Sequence, residues 1–159
     1  MATAHLLFGY PGVGKTTFAK QLEAQGAIRF TPDEWMSGLF GEDPPAVIFQ
    51  EKATTIASLM QPIWTRCLAS GADVVLDYGF WKRSERDNAR EIVRGVGASS
   101  ILYAVTCSEM EARDRIAQRN NAADRNLYIA PATFEMLKER LEPLDSDEDH
   151  VVISTATQR

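Results

Sequence analysis

The stretch Gly9-Tyr10-Pro11-Gly12-Val13-Gly14-Lys15-Thr16 decides the fold of this chain. It fits the pattern G-x-x-x-x-G-K-[ST] at every fixed position. The short, mostly apolar segment His5–Phe8 precedes it as a predicted strand, and a helical pattern begins at Lys15. Glycine allows several backbone amides to converge on one point, and the helix N-terminus adds the positive end of its dipole. The stretch therefore predicts a loop that binds phosphate groups.

Two side chains of this loop add chemistry that backbone amides lack. Lys15 supplies a full positive charge to the β- and γ-phosphates of a nucleotide, and the Thr16 hydroxyl is placed to ligate Mg²⁺. A glycine-rich turn with a surface lysine is the alternative, but the strand before the loop and the helix after it favour phosphate binding. The residues predicted to bind ATP are Gly9, Pro11, Gly12, Val13, Gly14, Lys15, Thr16, Thr17 and, further along the chain, Arg115.

Short apolar segments alternate with longer helical patterns along the chain. The predicted strands are His5–Phe8, Ala27–Phe30, Asp73–Leu76, Ser100–Val105 and Val151–Ser154. The predicted helices are Lys15–Gln25, Asp33–Phe40, Ala46–Ala69, Arg83–Val96, Ser108–Arg119 and Pro131–Leu141. Strands that alternate with crossover helices indicate an α/β fold, here a five-stranded parallel sheet flanked by helices.

Length and composition narrow the classes of protein. The chain has 159 residues, 45% of them hydrophobic, which suits one domain over residues 1–159. Its net charge of −5 disfavours diffuse binding to nucleic acid, because that binding needs many lysines and arginines. Cys67 and Cys107 fit no zinc spacing, and we expect two reduced thiols in a cytoplasmic protein. No leader and no membrane-spanning segment is predicted.

Carboxylates follow two of the predicted strands. In a parallel sheet the C-terminal ends of the strands face the ligand, so Asp77, after an apolar strand, is a candidate for binding Mg²⁺ or the acceptor. Asp33 follows the second strand and could accept a proton from an acceptor hydroxyl. The alternative for each is a local role, since aspartate also caps turns and helix N-termini.

Arginines mark a segment that could close over bound phosphates. Arg115 and Arg119 share one face of a predicted helix, and Arg125 lies in the polar stretch beyond it. That stretch has few apolar anchors besides its alanines, which is typical of a mobile lid. A solvated charged face is the alternative, because acidic residues alternate with these arginines.

A second basic set lies on the helix predicted to begin at Arg83. Arg83 and Arg86, together with Lys82 just before them, lie near its start, close to the expected position of Asp77, and are candidates for binding the substrate. Arg90 and Arg94 are expected further along the surface. The aromatic residues expected near the same strand ends are Trp35, Phe40, Phe80 and Trp81. Core packing is their ordinary role, but together they suggest an acceptor with a ring or apolar part, with Trp35 as a substrate-binding residue.

In these residues the sequence resembles the small P-loop kinases grouped with polynucleotide 5′-kinase domains, zeta toxins and chloramphenicol phosphotransferase. The resemblance extends from Leu6 to about Pro143. It rests on the phosphate loop, on Thr31-Pro32-Asp33, on Val75-Leu76-Asp77 with Arg86 downstream, and on Arg119 with Arg125 before Pro131.

The resemblance implies a P-loop NTPase fold and assigns roles to matching residues. Asp33 matches the general base that activates the acceptor hydroxyl. Arg119 and Arg125 match lid arginines that stabilise the migrating phosphoryl group. Asp77 matches the second acidic strand end, and Arg86 matches the arginine that holds an acceptor phosphate.

These observations predict an ATP- and Mg²⁺-dependent phosphotransferase that acts on a hydroxyl of a small molecule. Its predicted catalytic residues are Lys15, Asp33, Arg119 and Arg125. Two alternatives stay open: a nucleotide, polynucleotide or zeta-toxin-like kinase, and a regulatory module that binds ATP without transferring phosphate. The aromatic turn after Asp77 favours a small molecule over nucleic acid as the acceptor.

Overall fold

A parallel sheet of five strands forms the centre of the molecule, as predicted. The computed structural model describes residues 1–123 and 127–157. The strands are β1 (Thr3–Phe8), β2 (Ile28–Phe30), β3 (Val74–Gly79), β4 (Ser99–Thr106) and β5 (Val151–Ser154). Their order in the sheet is β2-β3-β1-β4-β5, and every neighbouring pair is parallel.

Helices connect these strands and cover both faces of the sheet. Within the described residues they are α1 (Lys15–Ala24), α2 (Pro32–Phe40), α3 (Ala46–Ala69), α4 (Arg83–Gly95), α5 (Glu109–Asn120) and α6 (Pro131–Arg140). None of these described helices combines the length and the apolar composition needed to cross a membrane. Both cysteines, Cys67 and Cys107, are free and half-buried.

Alternate residues of the central strands pack into separate cores on the two faces of the sheet. Leu6 and Leu76 join the larger core, which includes residues of α3 and α4. Leu7 and Val75, their neighbours in sequence, face the other side and pack with Leu22 of α1. Because successive side chains of a strand point to opposite faces, both faces of this sheet must be covered, which explains the continuous apolar runs in its sequence.

Two element boundaries near the ligand edge of the sheet differ from prediction. Strand β3 continues to Gly79, which pairs with Phe8 of β1, so Asp77 lies inside the strand rather than at its end. Helix α2 begins at Pro32 with Thr31 as its N-cap residue. Asp33 is therefore in the first turn of the helix and does not cap it.

Candidate active site

The phosphate loop makes a tight turn between β1 and α1. Gly12 and Gly14 have φ angles of 80° and 100°, which residues with side chains rarely adopt. A Cβ at Gly12 would also lie 2.4 Å from the carbonyl oxygen of Ala112 in α5. Nζ of Lys15 donates hydrogen bonds to two carbonyl oxygens of the loop, at 2.8 and 2.7 Å, so its charge lies directly against the turn.

The other loop residues act through the backbone or through packing. Val13 is 2% exposed and packs in a small core beside α5, so only its backbone can face a ligand. Pro11 is buried and has no amide hydrogen, so its predicted part in binding phosphate reduces to shaping the turn. Thr17 is the third residue of α1, and it is exposed.

The segment after β5 supports the phosphate loop from behind. Arg115 donates hydrogen bonds to Oγ1 of Thr155 at 2.9 Å, to its carbonyl oxygen at 2.6 Å and to the Val13 carbonyl oxygen at 3.3 Å. The Thr155 hydroxyl also donates to Val13. Arg115 therefore holds the loop through backbone contacts, and its predicted contribution to nucleotide binding would be indirect.

Two oxygen-bearing side chains next to the loop suit a magnesium ion. The Thr16 hydroxyl donates to Oδ2 of Asp77 at 2.7 Å, and Asp77 is only 8% exposed. Because the hydroxyl proton points to the carboxylate, the Thr16 lone pairs are free to face a cation. Magnesium usually takes one or two protein oxygens together with phosphate and water, which this pair could provide. The described residues hold no cluster of three or more His, Cys, Asp or Glu for a metal bound by protein alone.

Asp33 lies within electrostatic range of the phosphate loop. Loss of hydration among the surrounding protein atoms raises the pKa of Asp33, and repulsion by Asp77 raises it further, whereas Lys15 and Arg119 oppose the shift. Asp33 is exposed to solvent, which screens much of this effect. A carboxylate of raised pKa binds a proton more strongly, so Asp33 is suited to act as a base.

The pKa of Lys15 shifts in the opposite direction, downwards. Burial lowers the pKa of its ammonium group, and the attraction of Asp77 and Asp33 only partly compensates for it. An anionic ligand beside Lys15 would favour the charged form again, because opposite charges stabilise each other. The site is therefore electrostatically suited to a bound polyphosphate.

Arg119 brings a second positive charge to this group. It is exposed on the last turn of α5, and its charge acts to lower the pKa of both Lys15 and Asp33. This placement agrees with a role near the transferred phosphoryl group. Arg125, the other predicted lid arginine, lies outside the described residues, so the closing of a lid stays a prediction.

The described ends of the predicted lid segment are attached to the rest of the fold. The Asn120 side chain donates to the Ile129 carbonyl oxygen at 2.7 Å and accepts from the Ile129 amide at 3.0 Å. The Tyr128 amide donates to the Glu42 carbonyl oxygen at 2.9 Å, in the connection between α2 and α3. These contacts join the described ends of the segment to each other and to the connection between α2 and α3.

The turn after β3 brings Trp81 to the phosphate loop, a placement that the sequence alone could not define. Nζ of Lys15 lies 6.0 Å from the centroid of the Trp81 ring. Gly79 has a φ of 80°, and a Cβ there would lie 2.8 Å from Nε1 of the indole. Phe80 adopts a φ of 49°, uncommon for an aromatic residue, and its carbonyl oxygen accepts a hydrogen bond from Arg86 at 3.0 Å. The turn therefore holds the Trp81 ring beside the Lys15 ammonium group.

Arg86 is not available to bind a substrate, contrary to the prediction. Its side chain is fully buried, and Nε and Nη2 donate to the two carboxylate oxygens of Glu148, each at 2.7 Å. The remaining donors meet backbone carbonyl oxygens of Phe80, Glu142 and Pro143. A guanidinium has five N–H groups, and this chain supplies an acceptor for each. Arg86 therefore ties α4 to the segment before β5.

Arg83 is engaged in the same way, although it lies nearer to the surface. Its guanidinium forms ion pairs with Asp87 at 3.0 Å, with Asp145 at 2.9 Å and with Asp147 at 2.8 Å. The acidic segment before β5 thus neutralises the basic start of α4. The structure does not support the prediction that Arg83 binds the substrate.

Two predicted aromatic residues also lie away from the cleft. Phe80 is 4% exposed and stacks on Tyr78 with a centroid distance of 5.6 Å, so it belongs to the core. Trp35 is 40% exposed and follows Asp33 by two positions on α2. Side chains two residues apart on a helix do not face the same side. The geometry therefore does not support Trp35 as a substrate-binding residue.

Known proteins share this sequence pattern and this fold. The family model described as an AAA domain matches residues 5–144, so the chain belongs to that family. A search of curated proteins finds no match.

Solved structures with the same fold include kinases. A candidate kinase from Chloroflexus aurantiacus has a TM-score of 0.75 and 17% identity over 98% of this chain and 89% of its own. Kti12 from Chaetomium thermophilum, solved with ADP-AlF3, has a TM-score of 0.72 and 18% identity over 96% and 89%. A gluconokinase from Sinorhizobium meliloti has a TM-score of 0.66 and 20% identity over 98% and 84%. Similarity at these identities establishes the P-loop kinase fold.

Proposed function

We propose that this chain is an ATP- and Mg²⁺-dependent phosphotransferase that moves the γ-phosphate of ATP to a hydroxyl group of a small molecule. The observation that carries the proposal is the place of Asp33 in the first turn of α2, near enough to Lys15 for the two charges to interact. A module that only binds ATP needs no base beside its phosphates. The similarity in fold to a gluconokinase is consistent with a small hydroxylated acceptor.

The proposed step is a transfer between two oxygens. The acceptor oxygen attacks the γ-phosphorus, and the bond from that phosphorus to the oxygen bridging the β-phosphate breaks. ADP leaves with the electron pair of that bond, and Asp33 takes the proton of the acceptor hydroxyl. Lys15 and Arg119 stabilise the charge on the transferred group, with Arg125 proposed to assist. Magnesium, held by Thr16 in front of Asp77, would neutralise phosphate charge.

The charges around the cleft support a neutral acceptor. Residues 32–45, which include α2, contain no Lys or Arg but four carboxylates, among them Asp33 and Asp43. Arg83 and Arg86, which could have held an acceptor phosphate, already bind groups of this chain. A phosphorylated acceptor would therefore meet the carboxylates of Asp33 and Asp43, and neither Arg83 nor Arg86 would be free to hold its phosphate.

We propose that Trp81 offers the acceptor an aromatic surface. Because its indole lies beside Lys15, a molecule positioned for transfer could pack a ring or a hydrocarbon face against it. We expect Trp81→Ala to raise the KM of the acceptor about 10-fold, a loss typical of one aromatic contact, while the KM of ATP changes little. Trp81→Phe should retain most of the affinity, and Trp35→Ala is the matched control on the opposite face of α2.

The acceptor class is tested by a screen. Wild-type protein with ATP and Mg²⁺ is incubated with neutral sugars, inositols and hydroxylated antibiotics, and separately with nucleotides and 5′-hydroxyl oligonucleotides. We expect phosphorylated products from the neutral set alone. Products only from the nucleotide set would replace this proposal with a nucleotide or polynucleotide 5′-kinase.

The role of Asp33 is tested with the acceptor that the screen identifies. Asp33→Asn keeps the size of the side chain but cannot take the proton, so the rate should fall about 10²–10⁴-fold. ATP affinity should be nearly unchanged, and Asp43→Asn, in the same acidic region, should behave like the wild type. Turnover within a few-fold of the wild type in Asp33→Asn would exclude this residue as the base.

A further inference from the structure

Thr31 occupies the N-cap position of α2 but does not cap the helix with its side chain. The amides of Glu34 and Trp35 donate instead to its backbone carbonyl oxygen, at 3.1 and 3.5 Å. A threonine at this position usually stabilises a helix by about 1 kcal/mol through a side-chain bond. The hydroxyl of Thr31, which is 5% exposed, is committed elsewhere.

The Thr31 hydroxyl joins β2 to the proposed metal site. Nη1 of Arg29 donates to Thr31 Oγ1 at 2.6 Å, so the single proton of the hydroxyl must point in another direction. It points to Oδ2 of Asp77, 3.4 Å away. The same Oδ2 accepts the 2.7 Å hydrogen bond from Thr16. One carboxylate oxygen thus receives two hydroxyl protons, one from the phosphate loop and one from the end of β2.

Arg29 is itself held in place from two helices. Its Nε pairs with Glu23 of α1 at 3.0 Å, and Nη1 pairs with Glu34 of α2 at 2.8 Å. The Arg29 side chain is only 12% exposed. A donor anchored on both sides gives the Thr31 hydroxyl one orientation, because its alternatives would place two protons against each other.

We propose that Thr31 is a positioning residue for the magnesium site. Its hydroxyl, oriented by Arg29, holds the Asp77 carboxylate so that Oδ2 takes the Thr16 proton and leaves the Thr16 lone pairs facing the cation. The inference rests on the proposed use of Mg²⁺ with the nucleotide at this site. It also links two parts of the chemistry, because Thr31 lies two residues before Asp33, the proposed base.

The test measures metal binding rather than turnover. Calorimetry follows the nonhydrolysable analogue AMPPNP in EDTA and in a series of Mg²⁺ concentrations, with wild type, Thr31→Val and Thr31→Ser. Valine keeps the branched shape but has no hydroxyl, so the Mg²⁺ concentration for half-saturation should rise about 10-fold, as for other groups that orient metal ligands. Binding in EDTA should be unchanged, because the loop amides and Lys15 remain. Serine should restore the wild-type value.

Two further variants keep the test decisive. Thr54→Val removes the hydroxyl of an exposed threonine on α3, which bonds the Gln50 carbonyl oxygen, and should leave both measurements unchanged. Arg29→Met removes the donor that orients Thr31 and should also raise the half-saturating Mg²⁺ concentration. The Arg29 variant tests the same inference even if Thr31→Val folds poorly.

The outcomes separate this inference from the proposed function. Mg²⁺-dependent binding in the wild type that is equally strong in Thr31→Val would overturn the inference and leave the phosphotransferase proposal intact. Weakening of AMPPNP binding by the same factor with and without Mg²⁺ would show a general structural role and also overturn it. A wild type that ignores Mg²⁺ would overturn both.

Discussion

The start of α4 and the end of α5 each carry arginines close to the ligand edge of the sheet, but these arginines differ in burial and in hydrogen bonding. Arg86 is fully buried and donates every N–H group to the chain itself. Arg119 is exposed and acts through its charge on Lys15 and Asp33. The difference teaches that an arginine whose N–H groups are all bonded within the chain is not available to a ligand, even where it lies near the phosphate loop.

Acidic partners distant in sequence cause the difference. The segment before β5 places Glu148 against Arg86, 62 residues away, and Asp147 against Arg83. On α5 the neighbouring Arg113 forms ion pairs with nearby carboxylates, including that of Glu109 at 2.7 Å. Arg119, on the last turn, extends beyond this group of ion pairs.

The comparison is tested most strongly by removing the exposed arginine. Arg119→Ala should lower kcat about 10³-fold, or about 4 kcal/mol in transition-state free energy, because a charge on the transferred phosphoryl group acts mainly in the transition state. The affinity for AMPPNP, measured by calorimetry, should change little. Arg113→Ala, on the same helix, is the control. Equal kcat values for Arg119→Ala and wild type would show that the exposed arginine has no catalytic role.

Removing the buried arginine should affect stability instead. Arg86→Met removes both 2.7 Å hydrogen bonds from Arg86 to the buried Glu148 carboxylate and leaves it only the weaker ion pair with Arg90 at 3.2 Å, so the free energy of unfolding should fall by about 3 kcal/mol in a urea titration. Arg94→Met, exposed on the same helix, should change it by less than about 0.5 kcal/mol. If Arg86→Met folds with normal stability but fails to bind an acceptor, Arg86 is a ligand-binding residue after all.

The same ion pair predicts a loss of stability in acid. Hydrogen bonds from the Arg86 guanidinium lower the pKa of Glu148 to about 2, from its ordinary value of 4.5. Because the folded-state pKa is depressed, the stabilisation is complete above about pH 4.5 and disappears as the pH falls towards 2. Urea midpoints measured across this range should decrease more steeply in wild type than in Glu148→Gln. Parallel pH curves for the two proteins would contradict the prediction.

The exposure of Arg115 is intermediate between that of the buried Arg86 and that of the exposed Arg119. Its substitution should have the smallest effect of these variants. Arg115 contacts the phosphate loop and Thr155 but remains partly exposed. We expect Arg115→Ala to weaken AMPPNP binding about 10-fold, equivalent to the loss of one charged hydrogen bond, with little change in kcat. A large fall in kcat would instead place Arg115 with Arg119 at the transferring group.

The sequence alone was sufficient to predict the features whose pattern lies in residues close together in the chain. The phosphate loop, its flanking strand and helix, and the parallel sheet all follow from residues close together in the chain, such as Gly14, Lys15 and the apolar run of β3. Asp33 could be proposed for the same reason, since the end of a strand in a parallel sheet has a known direction.

Contacts between distant residues explain what the sequence could not show. Arg86 has the spacing of a substrate ligand, and nothing near it reveals that Glu148 will bury it. Thr31 before Pro32 has the sequence of an ordinary N-cap, and only the fold shows that Arg29 and Asp77 use its hydroxyl instead. The position of Trp81 depends on the left-handed backbone at Gly79 and Phe80, which composition does not encode.

The place of Trp81 beside Lys15 gives the molecule an optical signal of its own. Indole fluorescence responds to nearby charge, and the ammonium group 6.0 Å from the ring must respond when a phosphate chain arrives. Of the other tryptophans, Trp64 is 3% exposed in the core and Trp35 lies on the far side of α2 from Asp33. In a Trp35→Phe protein, a change of emission on mixing with nucleotide therefore reports arrival at the phosphate loop in real time, without any attached dye.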